Sequence, residues 1–314
     1  MAETRIFAVT GGLGFIGKHF VQRLLAEGHY VTNVDVVNYA ADRRAAAIFN
    51  DFDHYRHIQS DISELAYLPE CDYLLNFAAE SHVDNSIADS GRFCISNFMG
   101  TQRLVELVRS KAPDDRPLFV HISTDEVYGE IADGAHSEND MLHPSNPYSA
   151  TKAAADMLIY GWGRTYGVDY NIIRMSNNYG MHQYPEKLIP KSSGRMLRGL
   201  PALLHGQGRY YRNWLHVEDS VDGILTVIKK GEPNTIYNVN GNNEILNIDV
   251  VRKIAAIIGV PEERAYKMVD DRVGQDIRYS LDSSRLQALG WKPQRDFDTE
   301  LPKIIEATDY HRFI

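Results

Sequence analysis

The chain has 314 residues, 44% of them hydrophobic and 24% charged, and a formal net charge of −9. That length suits one large domain or two modest ones, with the composition of a globular protein. An acidic chain lacks the basic surface that nucleic acids and anionic membranes need, so neither is an expected partner.

Two cysteines, Cys71 and Cys94, show no Cys-x-x-Cys or Cys/His spacing. They predict small apolar side chains rather than a metal site, and they suit a reducing cytoplasm. The start "MAETRIFAVTGG" does not have the form of a signal peptide, and no run reaches the ~18 apolar residues of a membrane helix.

In chain order, "RIFAVTGG" predicts a strand ending in glycine. "IGKHFVQRLLAEG" follows with helical spacing, placing Ile16, Phe20, Leu24 and Leu25 on one face and Gly28 at the end. "HYVTNVDVV", "HYRHIQSDI", "CDYLLNFAA", "PLFVHISTDEVYG" and "VDYNIIRMSNNYG" read as strands two to six. Helical stretches lie between them, among them "NFMGTQRLVELVRSKA" and "PYSATKAAADMLIYGWGRTYG". Continuously apolar strands alternating with helices predict an α/β fold whose parallel sheet is covered on both faces.

After about residue 180 the pattern changes. "PEKLIPKSSGRMLRGLP" predicts a helix, "NWLHVEDSVDGILTVIKKG" a strand entering a helix, and "TIYNVNG" a short strand. "NIDVVRKIAAIIGV" predicts a helix capped near Asn247. The expected division is a first domain over 1–178, with part of 212–240 returning to it, and a smaller mixed substrate lobe over 179–314.

Gly11, Gly14 and Gly17 in "TGGLGFIG" follow a strand and open a helix. Such glycines permit a tight turn and let the backbone approach a pyrophosphate at a helix N-terminus. Asp35 ends the second strand, 18 residues past Gly17 (35 − 17). A carboxylate there accepts hydrogen bonds from a ribose and repels a 2′-phosphate, which predicts NAD over NADP. Asp61 and Ile62 follow the third strand, where an adenine edge would lie. Tyr148 and Lys152 in "PYSATK" are four residues apart and so share a helix face. An ammonium beside a phenol lowers its pKa, so Tyr148 is a candidate base.

Together these pieces resemble the extended short-chain dehydrogenase/reductase family. The resemblance spans essentially the whole chain. It implies a Rossmann-type doubly wound sheet with NAD and a catalytic Thr124, Tyr148 and Lys152. Asp125 and Glu126 in "HISTDEVYG" then sit beside Thr124, next to the expected nicotinamide. Two acids there suit one chemistry. Tyr148 takes the proton of a sugar 4-hydroxyl as hydride leaves C4. The 4-ketone acidifies the C5 hydrogen, one carboxylate takes that proton, and the other protonates the C6 hydroxyl as it leaves as water. Hydride then returns to C6. Adjacent acids on an extended backbone would point to different sides and titrate apart.

"AAESHVDNSI", "NPYSATKAAAD", "SNNYG", "PEKLIP" and "RNWLHVEDS" add a narrower resemblance, to nucleotide-sugar 4,6-dehydratases of the dTDP-glucose type. It implies Asp125 as the acid and Glu126 as the base. Phe15, Ile16, Asp35, Asp61, Ile62, Ala78, Ala79, Ser96, Tyr148, Lys152 and Asn178 would contact NAD. Ser81, Thr124, Asn177, Lys187, Leu188, Arg212 and Asn247 would contact the nucleotide-diphosphate sugar.

Arg212, in "GQGRYYRNW", has the guanidinium that suits a diphosphate. His82 is either a core histidine or a substrate contact. Arg272, in "DRVGQ", lies by resemblance around the nucleotide, in a segment that departs from the family's "DRPGH"-like form and leaves UDP, CDP and GDP carriers open. The helices holding "NFMGTQRLVELV" and "ATKAAADMLIYGW" have apolar faces, and a homodimer packed through them is expected.

Overall fold

The computed structural model describes residues 3–271 and 273–307. Seven parallel strands form its central sheet, in the order β10-β6-β5-β4-β1-β2-β3. They are β1 (Ile6–Thr10), β2 (Tyr30–Asp35), β3 (Tyr55–Gln59), β4 (Tyr73–Asn76), β5 (Leu118–Thr124), β6 (Tyr170–Met175) and, from later in the chain, β10 (Thr235–Val239). The order reverses between β1 and β4. Loops leaving the carboxyl ends of those two strands diverge there and open a crevice.

Apolar layers cover both faces. On one, Phe20, Val21 and Leu24 of the helix Phe15–Ala26 meet Val221 and Ile224 of the helix Val217–Lys230 against Phe7, Val9 and Ile173. On the other, Leu104, Val105 and Val108 of the helix Gly100–Arg109 meet Leu158 and Ile159 of the helix Pro147–Tyr166 against Leu74, Phe119 and Ile172. Burying one such side chain contributes about 1.5–3 kcal/mol, so these layers fix the sheet that positions the crevice.

The sixth predicted strand proves to be two. Chain pairing breaks at Ser176, and β7 (Asn177–Tyr179) leaves the large sheet to pair with β9 (Tyr211–His216), which also pairs with β11 (Asn243–Leu246). The break lets Asn177 and Asn178 turn across the crevice mouth. A second small sheet joins β8 (Ala202–Leu204) to β12 (Tyr266–Met268). The sequence reading placed no strand at β8, β11 or β12, because three or four residues carry too little periodicity. The helix Asn247–Ile258 has Leu246 rather than Asn247 at its N-cap, with no side-chain cap bond. A third apolar cluster, including Ile189, Val251, Ile254 and Leu301, holds this smaller part together.

Candidate active site

A cleft of about 490 Å³ opens at the carboxyl ends of β1 to β6. That volume is within the usual range for small-molecule and cofactor sites. Its deep end is the glycine turn. Gly11 has φ +70°, and a Cβ there would stand 2.6 Å from the Ala78 nitrogen. A Cβ on Gly17 would stand 2.2 Å from the Gly11 carbonyl oxygen, so the helix can start close against the turn only without a side chain. Gly14 caps that helix with no side-chain partner, and its first turn holds no acid. The free N–H groups and the positive dipole end therefore remain for an anion.

Asp35 is buried at the end of β2. Its carboxylate accepts from the backbone N–H of Leu13 (2.9 Å) and of Val37 (2.8 Å), which ties the glycine turn to β2. Asp61 accepts from the Ser63 N–H at 2.8 Å and presents its loop to the same cleft. Every residue expected to contact NAD lines this one cleft: Gly11, Gly14, Phe15, Ile16, Gly17, Asp35, Asp61, Ile62, Ala78, Ala79, Ser96, Tyr148, Lys152 and Asn178. A glycine cradle, an uncapped helix end and a braced carboxylate are a donor set that fits a dinucleotide.

The other end holds the acids. Thr124 is the last residue of β5. Asp125 and Glu126 lie in a tight helical turn, Asp125–Tyr128, and not on the extended backbone expected from the sequence. Their environments differ all the same. Asp125 is 3% exposed, accepts from the Thr124 hydroxyl at 3.1 Å, and keeps its Oδ2 buried without a partner among the described residues. Burial first, and then the Glu126 charge, push its carboxyl up to about 7, against the opposing pull of Arg212. Glu126 is also raised by burial, while a hydrogen bond from the Asn146 amide (3.2 Å) and the charges of Arg212 and Lys187 work the other way. Asn146 also caps the helix Pro147–Tyr166 through a reciprocal pair with Ser149. It thus couples Glu126 to the helix that carries Tyr148. The "N-P-Y-S" order was the sequence signal for this cap.

Tyr148 and Lys152 share the helix face as expected, but not the expected contact. Lys152 Nζ donates to the Ile122 carbonyl at 2.7 Å and meets His121 Nε2 at 3.1 Å. Burial pulls Lys152 down to about 8. Burial also pushes the Tyr148 phenol up, followed by the charges of Glu126 and, more weakly, Asp125 and Asp156, and a hydrogen bond with Thr124 is what opposes them. Burial and the neighbouring carboxylates thus act against the phenolate, and the Thr124 hydroxyl acts for it.

Of the expected substrate contacts, Ser81, Thr124, Asn177 and Lys187 line the cleft. Lys187 reaches across it to the Ser81 carbonyl at 2.9 Å. His82, Leu188, Arg212 and Asn247 stand outside its lining. His82 caps the short helix Val83–Ala88 by accepting from the Asn85 N–H, and Leu188 packs on the third apolar cluster. Arg212 is buried, donates to the carbonyls of Tyr211, Asp276 and Ile277, and lies 4.7 Å from the Tyr279 ring centre. Its charge still reaches both acids. Among the described residues, Asn247 keeps a buried Oδ1 without a partner, as does Asn177. Arg272 lies outside the described residues.

The sequence reading missed His121, Asp156 and Arg174. Arg174 donates to Asp156 at 2.8 Å and to the Tyr128 hydroxyl at 2.7 Å, and Asp156 lies 3.7 Å from His121. These groups form a buried polar layer beneath Lys152. The one arginine inside the otherwise apolar strand run "NIIRM" was the available hint.

A doubly wound sheet, a dinucleotide turn and a Tyr148/Lys152 helix define the class of extended short-chain dehydrogenases/reductases. The family model described as GDP-mannose 4,6 dehydratase matches residues 8–304. A dTDP-glucose 4,6-dehydratase of Xanthomonas campestris is 41% identical over 312 residues, covering 92% of this chain and 89% of that protein. A low-salt glycan biosynthesis protein of Haloferax volcanii is 39% identical over 303 residues, covering 95% and 96%. The dTDP-glucose 4,6-dehydratase of Streptomyces venezuelae, solved with NAD and dTDP bound, superposes with a TM-score of 0.91 at 37% identity, covering 98% and 97%. The chain belongs to the GDP-mannose 4,6 dehydratase family of nucleotide-sugar enzymes.

Proposed function

We propose that this protein is an NAD-dependent nucleotide-sugar 4,6-dehydratase, a hydro-lyase for which dTDP-glucose is the favoured substrate. The relatives named for that reaction support the reading. The observation that carries it is the acid pair: Asp125 stays protonated up to about 7 while sitting next to Glu126. A 4-epimerase needs neither group.

Held by the glycine turn and Asp35, NAD would supply hydride acceptance for C4 and hydride donation for C6. Tyr148 enters as the phenolate and receives the proton of the sugar 4-hydroxyl; Thr124 favours that form, and the positive ring of oxidised NAD, when bound, would favour it further. Glu126, oriented by Asn146, takes the C5 proton that the 4-ketone has acidified. Asp125 enters as the neutral acid and protonates the C6 hydroxyl, which leaves as water. Glu126 then returns its proton to C5. Arg212 and Lys187 supply positive charge for the diphosphate end, and Asn177 and Asn247 offer acceptors with no partner among the described residues.

The protein acts as a homodimer in a cytoplasmic setting. Ile95, Met99, Met157 and Tyr160, on the segment Cys94–Met99 and the helix Pro147–Tyr166, are exposed apolar side chains that a second copy would cover. Among the described residues no helix is long and apolar enough to cross a membrane, and both cysteines are free thiols.

The test is to incubate the protein with the glucose conjugates of dTDP, UDP, CDP and GDP, with and without NAD, and to weigh the products. Loss of one water from the dTDP conjugate is the expected result. Loss from another conjugate alone reassigns the nucleotide, and unchanged mass throughout overturns the reading.

A further inference from the structure

His19 lies on the helix Phe15–Ala26, just past Gly17, and outside the lining of the cleft. Its side chain is 11% exposed. Nδ1 stands 3.0 Å from Glu218 Oε1, and Nε2 stands 3.2 Å from the Met181 carbonyl oxygen. A backbone carbonyl can only accept. The His19 hydrogen bond first, and then the charges of His19, Arg23 and Arg295, pull the Glu218 carboxyl down against burial, so it is ionised and only accepts as well. A neutral imidazole has one N–H and fills one of these two bonds. The imidazolium fills both.

The other charges near the ring are engaged with one another. Arg23 is shared between Glu218 (3.2 Å) and Asp222 (2.9 Å), and Arg295 donates to Asp222 and Asp219. His216 accepts the Glu218 backbone N–H at 3.3 Å. On the other side Lys18 pairs with Asp42 at 2.7 Å, and Arg44 and His182 border the same recess as His19. Phe15 meets the His19 ring edge-on, 5.7 Å between centroids. Glu218 is thus the charge that His19 meets directly.

Met181 and His182 form the turn that follows β7. Lys18 Nζ holds the second carbonyl of that turn, His182 O, at 2.9 Å. His182 has φ +61°, a left-handed conformation that costs a non-glycine residue about 1–3 kcal/mol and persists where its surroundings hold it. From there the chain runs into Gln183, Tyr184, Glu186 and Lys187, which line the cleft. Two neighbouring side chains of the helix that opens on the glycine turn therefore fasten the loop that carries Lys187.

We propose that His19 is a positioning residue for the nucleotide sugar: as the imidazolium it ties the turn 181–182 to Glu218 and to the cofactor helix, and on losing its proton it frees the loop 183–187. The proton passes to water and one of the two hydrogen bonds breaks. The inference rests on the dehydratase reading for its substrate.

The test measures KM and kcat for dTDP-glucose on the holoenzyme at about pH 6 and about pH 8, across the range where histidines change charge, for the parent, His19→Gln and His19→Lys. At the lower pH, His19→Gln is expected to raise KM about tenfold, the scale of a lost charge-assisted hydrogen bond, with kcat kept. At the higher pH the parent's KM is expected to approach that of His19→Gln. His19→Lys, which keeps a cation with several donors, is expected to hold KM low at both. A ratio of the Gln variant's KM to the parent's that is the same at both pH values makes His19 a packing residue and overturns the proposal. Should His19→Gln not fold, a parent KM that rises with pH no more than that of His19→Lys overturns it equally. A parent that turns over no dTDP-glucose fails the dehydratase reading and leaves the latch to hydrogen exchange over residues 178–187 of the NAD-loaded protein. There the parent is expected to match His19→Lys at the lower pH and to exchange faster than it at the higher, and equal exchange at both removes the latch.

Discussion

Lys152 Nζ sits 3.1 Å from His121 Nε2, inside the core and beneath the cleft. The neighbours of His121 assign its proton. Asn76 Nδ2 meets His121 Nδ1 at 3.1 Å and Thr101 Oγ1 at 3.2 Å, and the Thr101 hydrogen is already donated to the Asn97 carbonyl at 2.7 Å. The Asn76 oxygen accepts from Thr10 at 2.7 Å. Nδ1 is therefore an acceptor and the neutral ring carries its hydrogen on Nε2, so the contact with Lys152 is a hydrogen bond only while Lys152 is the neutral amine, which agrees with its lowered pKa. Burial first, and then the charges of Lys152 and Arg174, hold His121 well below its ordinary value, so the ring stays neutral.

His121→Phe keeps a ring beside Phe119, whose centroid lies 6.2 Å from that of His121, but leaves one N–H of the Asn76 amide without its acceptor and removes a neighbour of Lys152. The expected cost is about 2 kcal/mol of stability, the usual penalty for a buried polar group left unpaired. A shift in the pH-rate profile should accompany it, because Lys152 titrates in new surroundings. Thermal melting and the pH profile measure both, and an unchanged pair of curves would show the contact to be idle.

Asp125→Asn separates oxidation from elimination. Its amide oxygen can still accept from Thr124, but it has no acid proton to give to O6. Water loss is expected to slow by about 10²-fold or more, the usual range for a lost general acid, while C4 oxidation persists. Stopped-flow absorbance should show reduced nicotinamide accumulating, and turnover equal to the parent's would remove Asp125 from the acid role.

The same carboxyl sets a pH dependence. Its folded value of about 7 lies above the ordinary 3.8. The neutral form is therefore favoured in the fold, its stabilising effect is complete below 3.8, and that effect is lost as pH rises toward 7. The difference corresponds to about 4 kcal/mol by linkage. The expected outcome is that Asp125→Asn melts higher than the parent at pH 8 and that the gap closes by pH 4. The parent's single-turnover rate of water loss should also fall above about pH 7, as the acid form is depleted. Melting gaps that do not vary with pH would place the titration elsewhere.

Tyr148→Phe removes the group that receives the O4 proton but keeps the ring near Phe93, 6.4 Å away between centroids. Hydride transfer from C4 should fall by at least about 10²-fold, with no reduced cofactor appearing at any time. A variant that reduces the cofactor at the parent's rate would assign the base to another residue.

Met99 and Met157 are 49% and 55% exposed, which is high for large apolar side chains on helices of one face. Light scattering should give the mass of two chains, and Met99→Glu with Met157→Glu should give the mass of one. A monomeric parent would refute the dimer.

The sequence by itself determined whatever depends on neighbours along the chain. Gly11, Gly14 and Gly17 specify a turn, Asp35 the end of the following strand, Tyr148 and Lys152 one helix face, and Thr124, Asp125 and Glu126 one strand end. These are contiguous or fixed spacings, and backbone geometry converts them directly into position. All of them line one cleft.

The tertiary structure decided what those groups touch. Lys152 meets His121 and the Ile122 carbonyl because β5 runs under its helix. Asn146 reaches Glu126 across 20 residues, and Arg212 is held by the carbonyls of Asp276 and Ile277 from more than 60 residues away. The Asp125 carboxyl is pushed up to about 7 because burial and the Glu126 charge act together, and neither is a property of "TDE" as letters. Long-range contacts carry no period in sequence, and desolvation depends on everything packed around a group, so only the folded chain could set them.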